Sequence, residues 1–284
     1  MLVAHKPIQD PVIMAAIADH LQTLNTDILD LERWDSQTHI NIFDQWLKTG
    51  KHVKINGLDK FKHRALCNGS SAALSHFVYR NNHKRIRFSR NEFVLGRVVS
   101  NDGNIDWAYL EDDKIKSTDA VMVSVPFAGN GGQLPNYQQL IHTCNQLDVP
   151  VCVDLAYAGI GIDIQIDVDE KCIQEVVSSI SKPFSSMLRH GIRYSKQRHD
   201  DNIQIASDTG ILPRINIAIA SKLLENFSKD FIVDKYINRY HKVCADLGLT
   251  ETNTVTLALG DPDRHKEFVR GDQIRICITD ELLS

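Results

Sequence analysis

The sequence predicts an α/β fold in which helices flank a mostly parallel central sheet, followed by a small α+β domain at the C-terminal end. Two apolar segments, Ala120–Ser124 and Pro150–Asp154, are separated by a helical pattern over Tyr137–Leu147. Strand, helix and strand in this order, with both strands apolar, are typical of a parallel βαβ unit that is buried on both faces. Nearer the C-terminus, residues 254–260 and 272–278 alternate between apolar and polar side chains, which predicts a small antiparallel layer.

Three domains are predicted along the chain. Residues 1–50 carry apolar side chains at helical spacing and are predicted to form an N-terminal helical segment. Residues 51–210 contain the strand–helix–strand units and form the large α/β domain. Residues 211–284 form the small C-terminal domain.

Smaller elements follow from local patterns. Three strands are predicted over Ile86–Phe88, Phe93–Val99 and Ile105–Leu110, and the last two are separated by the Asn-Asp-Gly-Asn turn sequence. Residues 196–209 are polar and are predicted to form a surface loop. Residues 213–247 have a helical pattern with one or two breaks.

Composition limits the classes of function. The chain has 284 residues, a formal net charge of −4, 43% hydrophobic and 24% charged residues, which are ordinary values for a soluble globular protein. The slight acidity argues against nucleic acid or an anionic membrane as the main partner. Six cysteines without a C-x-x-C pair indicate reduced thiols and neither a disulfide framework nor a metal site. With no signal-peptide pattern, the expectation is a cytoplasmic protein.

A glycine and two serines interrupt the chain between a short apolar strand and a helical pattern. The strand candidate is Arg64–Cys67, and Asn68, Gly69, Ser70 and Ser71 follow it. A turn of this kind can hold a phosphate, because the helix N-terminus presents free N–H groups and a positive dipole end. The alternative is a serine that caps the helix without any ligand.

Two further side chains follow apolar strands. Asp154 ends the strand that begins near Pro150, where α/β folds place ligands, although an aspartate there can also cap the next turn. Lys182 follows the apolar pair at 176–177, and poor solvation favours the neutral, nucleophilic form of an amine. The alternative for Lys182 is a surface lysine after a strand.

Taken together, these residues resemble those of the fold-type I pyridoxal-phosphate (PLP) enzymes, close to the aspartate-aminotransferase-like class I/II family. Ser179-Ile180-Ser181-Lys182 and Asp154-Leu155-Ala156-Tyr157 are similar to family motifs. The resemblance implies a PLP-binding large domain, a substrate-clamping small domain and a Schiff base between Lys182 and PLP. Asp154 would pair with the protonated pyridine nitrogen, and Tyr157 would contact the phenolic oxygen of the ring.

The resemblance also implies ligands for the phosphate and the substrate. Gly69, Ser70 and Ser71 would form the phosphate turn, with Ser179 and Arg189 completing it and Arg193 as the alternative arginine. Two more roles are implied elsewhere: Phe93 would stack on the pyridine ring, and Arg275 would bind the α-carboxylate of the substrate.

One loop departs from the family pattern. The family has an asparagine that contacts the phenolic oxygen, and direct alignment places Ala128 there, with Asn130 two positions further on. Either Asn130 reaches the cofactor through a different turn, or this contact is absent.

The resemblance leaves three functions open. The first is an aminotransferase acting on an amino acid and a 2-oxo acid through Lys182. The second is a PLP-dependent lyase, cyclase or decarboxylase of a biosynthetic pathway that uses the same site. The third is a non-catalytic partner subunit with the same fold. The family further implies a homodimer.

Overall fold

The computed structural model describes residues 6–30, 32–270 and 273–284. Its helices are α1 (Pro11–Gln22), α2 (Ser36–Lys48), α3 (Gly69–Arg80), α4 (Leu95–Asp102), α5 (Tyr137–Gln146), α6 (Asn202–Thr209), α7 (Arg214–Asn226), α8 (Phe231–Leu247) and α9 (Thr279–Leu283). Its strands are β1 (Val53–Asn56), β2 (His63–Cys67), β3 (Arg85–Phe88), β4 (Trp107–Tyr109), β5 (Asp119–Ser124), β6 (Val151–Asp154), β7 (Ile164–Asp167), β8 (Ile173–Ser179), β9 (Gly191–Ser195), β10 (Thr250–Glu251), β11 (Leu257–Leu259), β12 (Val269–Arg270) and β13 (Gln273–Cys277).

A large sheet dominates the molecule. Within the described ranges it has seven strands in the order β2-β9-β8-β6-β5-β3-β4. Neighbouring strands from β8 through β4 are parallel, whereas β9 is antiparallel to both β2 and β8. The prediction of a mostly parallel central sheet is therefore confirmed.

Helices cover both faces of this sheet. Val121 and Val123 of β5 pack in a cluster with side chains of α2, α5 and α7. Ala120 and Met122, which alternate with them, pack with α3 and α4 on the opposite face. Because successive side chains of a strand point to opposite faces, a strand covered on both sides is apolar along its length.

The predicted strand over Phe93–Val99 is wrong, because α4 begins at Leu95. Gly96 and Val99 are buried, while Val94 and Val98 are exposed, and this spacing matches one face of a helix. A short run rich in valine is ambiguous between the two structures when its neighbours are unknown. The predicted loop over 196–209 is also partly wrong, since its second half forms α6.

The small antiparallel layer is confirmed near the C-terminus. In the described part of the chain, β10, β11, β13 and β12 pair in this order and every pairing is antiparallel. The predicted segment 272–278 begins at a residue outside the described ranges. This layer packs with α8, and the same hydrophobic cluster includes Tyr157 and Ile160 from the loop after β6. The layer therefore lies against the end of the large sheet.

Hydrophobic packing divides the C-terminal helices between two clusters. Ile217 and Leu223 of α7 pack with α1, α2 and the large sheet. Ile232 and Tyr236 of α8 belong to the cluster of the small layer. The domain division at 210/211 remains a prediction. None of the helices in the described ranges combines the length and the apolar character that a bilayer span requires.

Candidate active site

A cavity opens at the carboxyl ends of β5, β6 and β8. Ser124 and Asp154 are the last residues of β5 and β6, and they are paired partners in the sheet. Lys182 follows the end of β8 at Ser179. The cavity is lined by Ser70, Ser71, Phe93, Ser124, Ala128, Asp154, Ala156, Tyr157, Ser181, Lys182, Ser186 and Arg189. This is the edge at which α/β folds bind their ligands.

Asp154 places a carboxyl group in the buried wall of the cavity. It is 8% exposed, and its Oδ1 accepts a hydrogen bond of 2.9 Å from the N–H of Ala156. Burial, with a smaller contribution from the carboxylate of Glu92, raises the pKa of Asp154 to about 7. The Ala156 N–H, the charge of Lys182 and the Ser70 side chain oppose this rise in pKa but do not overcome it.

Lys182 and Tyr157 face each other across the cavity. Lys182 Nζ lies 5.7 Å from the centroid of the Tyr157 ring. The turn that carries the lysine is held by the N–H of Phe184, which donates to the Ile180 carbonyl over 3.0 Å. Ile180 and Phe184 are buried, so their packing fixes the direction in which the turn leaves β8.

The N-terminus of α3 and one arginine line the same cavity. Arg189 Nη2 donates to the carbonyl of Asn68 over 3.0 Å, beside Ser70 and Ser71 in the first turn of α3. An arginine next to a helix N-terminus suits an anion such as a phosphate. The alternative arginine, Arg193, is fully buried and pairs with Asp201 over 3.1 Å, outside the cavity lining.

Two glycines permit this close approach. Gly69 has a φ of +72°, and a Cβ there would lie 3.1 Å from Arg189 Nη2. A Cβ at Gly191 would lie 2.7 Å from the carbonyl oxygen of Ser178 and 3.0 Å from Gly69 Cα. Glycine at both positions lets the α3 turn, β8 and β9 come together.

Ser179 and Asn130 do not line the cavity. Ser179 Oγ lies 2.8 Å from Ser181 Oγ, and only Ser181 lines the cavity. The Asn130 amide is engaged in its own loop: its oxygen accepts from Gly132 N–H over 2.8 Å, and its nitrogen donates to the Gln133 carbonyl over 3.2 Å. Ala128 faces the cavity instead, so the structure does not bring Asn130 to the predicted contact.

Phe93 lines the cavity and is 41% exposed, so its ring is accessible to a ligand in the cavity.

Arg275 is 4% exposed and outside the cavity lining. Its Nη1 donates to the carbonyl of Ala128, which is itself a lining residue. Arg275 therefore contacts a residue of the cavity wall but does not itself face the cavity.

Sequence reasoning missed several residues of the cavity wall, namely Ser124, Ala156, Ser181 and Ser186. The position of Ser124 was accessible in principle, because it ends the strand predicted to lie beside that of Asp154. Glu92, which hydrogen-bonds to Ser124, carries no motif that would identify it.

Solved structures of similar fold include enzymes of several reactions. The PLP-bound C-S lyase from Staphylococcus hominis is 14% identical, with a TM-score of 0.65, over 94% of this chain and 76% of that chain. Tyrosine aminotransferase from Leishmania infantum is 13% identical, with a TM-score of 0.66, over 99% and 90%. L-Threonine-O-3-phosphate decarboxylase from Porphyromonas gingivalis is 13% identical, with a TM-score of 0.63, over 92% and 83%.

The search of curated proteins found no match. The family model for aminotransferase class I and II, in contrast, matches residues 58–270, which include all the cavity-lining residues. The chain therefore belongs to the class I and II aminotransferase family, whose members are PLP-dependent enzymes of fold type I.

Proposed function

We propose that this protein is a PLP-dependent aminotransferase that moves an amino group from an amino acid to a 2-oxo acid. One observation carries the proposal: Lys182 and Arg189, from the segment between β8 and β9, line one cavity with Asp154 and Tyr157 at the end of β6. Membership of the aminotransferase family supports the same reaction.

The residues present fit PLP, which is a flat ring with an aldehyde, a phosphate and a basic nitrogen. Asp154 offers a buried carboxylate that can accept a hydrogen bond from a protonated ring nitrogen, whose positive charge would relieve the cost of burying Asp154. Arg189 and the first turn of α3 offer donors for the phosphate. Phe93 and Tyr157 offer aromatic faces for the ring.

In the proposed mechanism, Lys182 Nζ would be the amine that holds PLP by condensing with its aldehyde, with loss of water, and the amino group of the substrate would then displace it. Bound PLP supplies an electron sink for the electrons left at the substrate Cα. Lys182 Nζ would then take the proton from Cα as a general base and deliver it, as a general acid, to the carbon that had carried the aldehyde. Asp154 would hold the proton on the ring nitrogen, and Tyr157 would donate to the phenolic oxygen. The phosphate would be held by Arg189, by the α3 turn with Gly69, Ser70 and Ser71, and by Ser179.

A half-reaction assay tests this function. The protein is saturated with PLP and mixed with single amino acids in the absence of any 2-oxo acid. We expect at least one amino acid to abolish the visible absorbance of the bound aldehyde and to release one equivalent of its 2-oxo acid. A complete panel that leaves the absorbance unchanged contradicts the aminotransferase assignment.

Borohydride reduction tests the lysine. We expect mass spectrometry to find the reduced PLP adduct on the peptide that contains Lys182, and Lys182→Ala to lose both the adduct and the visible band. The matched control is Lys171→Ala, an exposed lysine that pairs with Asp148. An adduct on any other lysine would overturn the assignment.

A PLP-dependent lyase, cyclase or decarboxylase is the second candidate. The observation that favours it is Arg275, which is almost fully buried and donates to the Ala128 carbonyl behind the cavity wall. A clamp for an α-carboxylate would have to leave this carbonyl to reach a substrate. Ammonia, sulfide, carbon dioxide or a cyclic product formed without a 2-oxo acid acceptor would support this alternative.

We further propose that the protein acts as a homodimer, with 51–210 as the PLP-binding domain and 211–284 as the substrate-clamping domain. Family membership supports the dimer, and the most exposed large apolar side chain near the cavity, Met187, is 82% exposed beside the lining residue Ser186. Sedimentation velocity of the PLP-saturated protein measures the assembly.

A further inference from the structure

Glu92 is a buried carboxylate beside the cavity, in the segment between β3 and α4. Its Oε1 accepts a hydrogen bond of 2.6 Å from the Ser124 hydroxyl and one of 2.9 Å from the Phe93 N–H. Its Oε2 accepts the Ser124 N–H over 2.9 Å. Glu92 does not line the cavity itself, but Phe93 and Ser124 both do.

The hydrogen bonds continue to a third segment of the wall. Ser124 Oγ accepts the N–H of Ala128 over 2.8 Å, and Ala128 stands where the family pattern has its asparagine. One carboxylate thus joins the ends of three wall segments: the one that carries Phe93, the end of β5 and the loop after it. Ser124 is also the sheet partner of Asp154.

We propose that Glu92 is a positioning residue for PLP, which holds Phe93, Ser124 and Ala128 at their places around the ring and sets a negative charge behind Asp154. The inference rests on the proposed PLP-binding function. A carboxylate suits this role because it accepts hydrogen bonds on both oxygens and donates none. A glutamine amide would keep the bond from the Ser124 hydroxyl, but its NH₂ group would face the Ser124 N–H, donor against donor.

Because Glu92 is buried, its carboxylate would be a costly choice for a residue that only supports the fold. A carboxylate removed from water has to be compensated by its hydrogen bonds. The negative charge of Glu92 also contributes to the raised pKa of Asp154. A nearby glutamate supplies a comparison: Glu111 accepts the Ser89 hydroxyl over 2.6 Å and the Arg90 N–H over 3.1 Å. Glu111 anchors the same loop from an exposed position and touches none of the lining residues through these bonds.

The test compares Glu92→Gln with the matched control Glu111→Gln in the full-length protein. PLP is titrated into each variant, and its dissociation constant and the circular dichroism of its visible band are measured. Amide hydrogen exchange follows the N–H groups of Ser124 and Ala128 without PLP. Because the Ser124 N–H loses its acceptor and faces an NH₂ group instead, we expect Glu92→Gln to weaken PLP binding about tenfold or more. We also expect a weaker dichroic band and faster exchange at both amides.

For Glu111→Gln we expect wild-type values in all three measurements, even if its melting temperature falls. Wild-type affinity, dichroism and exchange in Glu92→Gln would overturn the proposal, as would equal changes in both variants. If the wild-type protein bound no PLP, the proposed function would fail, and the exchange rates of Ser124 and Ala128 would still decide whether Glu92 holds the wall.

Discussion

Asp154 combines an ionisable side chain with a position that water hardly reaches. Burial raises its pKa to about 7, far above the value of 3.8 for an unperturbed aspartate. The folded protein therefore binds this proton more tightly than the unfolded chain does. The resulting stabilisation is complete below about pH 4 and is lost as the pH rises through about 7. Without PLP, the protein at pH 8 carries the full cost of a buried charge.

Asp154→Asn removes that charge and keeps the shape of the side chain. In the PLP-free protein we expect the variant to melt several degrees above wild type at pH 8, with the difference shrinking towards pH 5. The gain in free energy of unfolding is at most about 4 kcal/mol, because the pKa of Asp154 rises from 3.8 to about 7 on folding. Differential scanning calorimetry at both pH values measures it. With PLP bound, we expect the variant to lose about a hundredfold in amino transfer.

Asp119→Asn is the control for this stability experiment. Asp119 is fully buried, and burial would raise its pKa, but hydrogen bonds from Arg85 and the charge of Arg87 bring the pKa below its usual value. Removing a paired carboxylate leaves the arginines uncompensated, so we expect Asp119→Asn to destabilise the protein at pH 8. If both variants lose stability at pH 8, the buried charge of Asp154 does not destabilise the PLP-free protein, and the prediction is wrong.

The site residues that sequence could predict share one property. Asp154, Tyr157 and Lys182 each lie next to an apolar strand, and their order along the chain matches a family motif. Glu92 joins the site only through hydrogen bonds across the fold, so no local pattern identifies it. For Arg275 the sequence predicts the residue but not its contact, because the Ala128 carbonyl comes from a loop more than a hundred residues away.

At the scale of elements, the buried strands were the most predictable. β5 and β6 are buried along their whole length because helices cover both of their faces, so their central residues are all apolar. α4 could not be separated from a strand, because its short valine-rich sequence satisfies both patterns until the buried face is known. The polar helix α6 was hidden for the opposite reason, as few of its residues are apolar.

The first turn of α3 depends on one glycine, and Gly69→Ala tests it. Its φ of +72° disfavours any side chain, and a new Cβ would lie 3.1 Å from Arg189 Nη2 and 3.2 Å from Cζ. We expect a loss of about 1 kcal/mol in the free energy of unfolding. Because the guanidinium has to move, we also expect PLP to bind about tenfold more weakly. Urea unfolding and PLP titration measure the two effects.

Gly248→Ala separates backbone strain from the loss of the anion site. Gly248 ends α8 with a φ of +64°, and the nearest atom to a new Cβ is Arg264 Nη1 at 3.8 Å. We expect it to lose as much stability as Gly69→Ala while PLP affinity stays at the wild-type value. Equal losses of affinity in both variants would show that strain alone, and not Arg189, explains the effect.

Over the whole molecule, a buried aspartate joins α1 to α8, which are far apart in the sequence. Asp10 begins α1, where its Oδ1 accepts the N–H groups of Val12 and Ile13 over 2.9 and 3.1 Å. Its Oδ2 accepts the hydroxyl of Tyr236 over 2.6 Å and the ammonium of Lys235 over 2.5 Å, both from α8. The Asp10 carboxylate thus caps α1, which packs in the cluster with the large sheet, and binds α8, which packs in the cluster with the small layer. No sequence motif links residues so far apart.

Asp10→Ala is expected to lower the free energy of unfolding by about 3 kcal/mol at pH 7, because it removes a helix cap and leaves the Tyr236 hydroxyl without its acceptor. Burial alone would raise the pKa of Asp10, but the bonds from Lys235 and Tyr236 outweigh it and lower the pKa below 3.8. The stabilisation is therefore present above about pH 4 and is lost as the pH falls through the lowered pKa. Asp35→Ala, which removes the cap of α2 at an exposed position, should cost only about 1 kcal/mol. Urea unfolding of both variants at pH 7 and pH 3 tests this prediction. Equal losses at pH 7 would mean that Asp10 acts only as a helix cap and that its bonds to α8 add no stability.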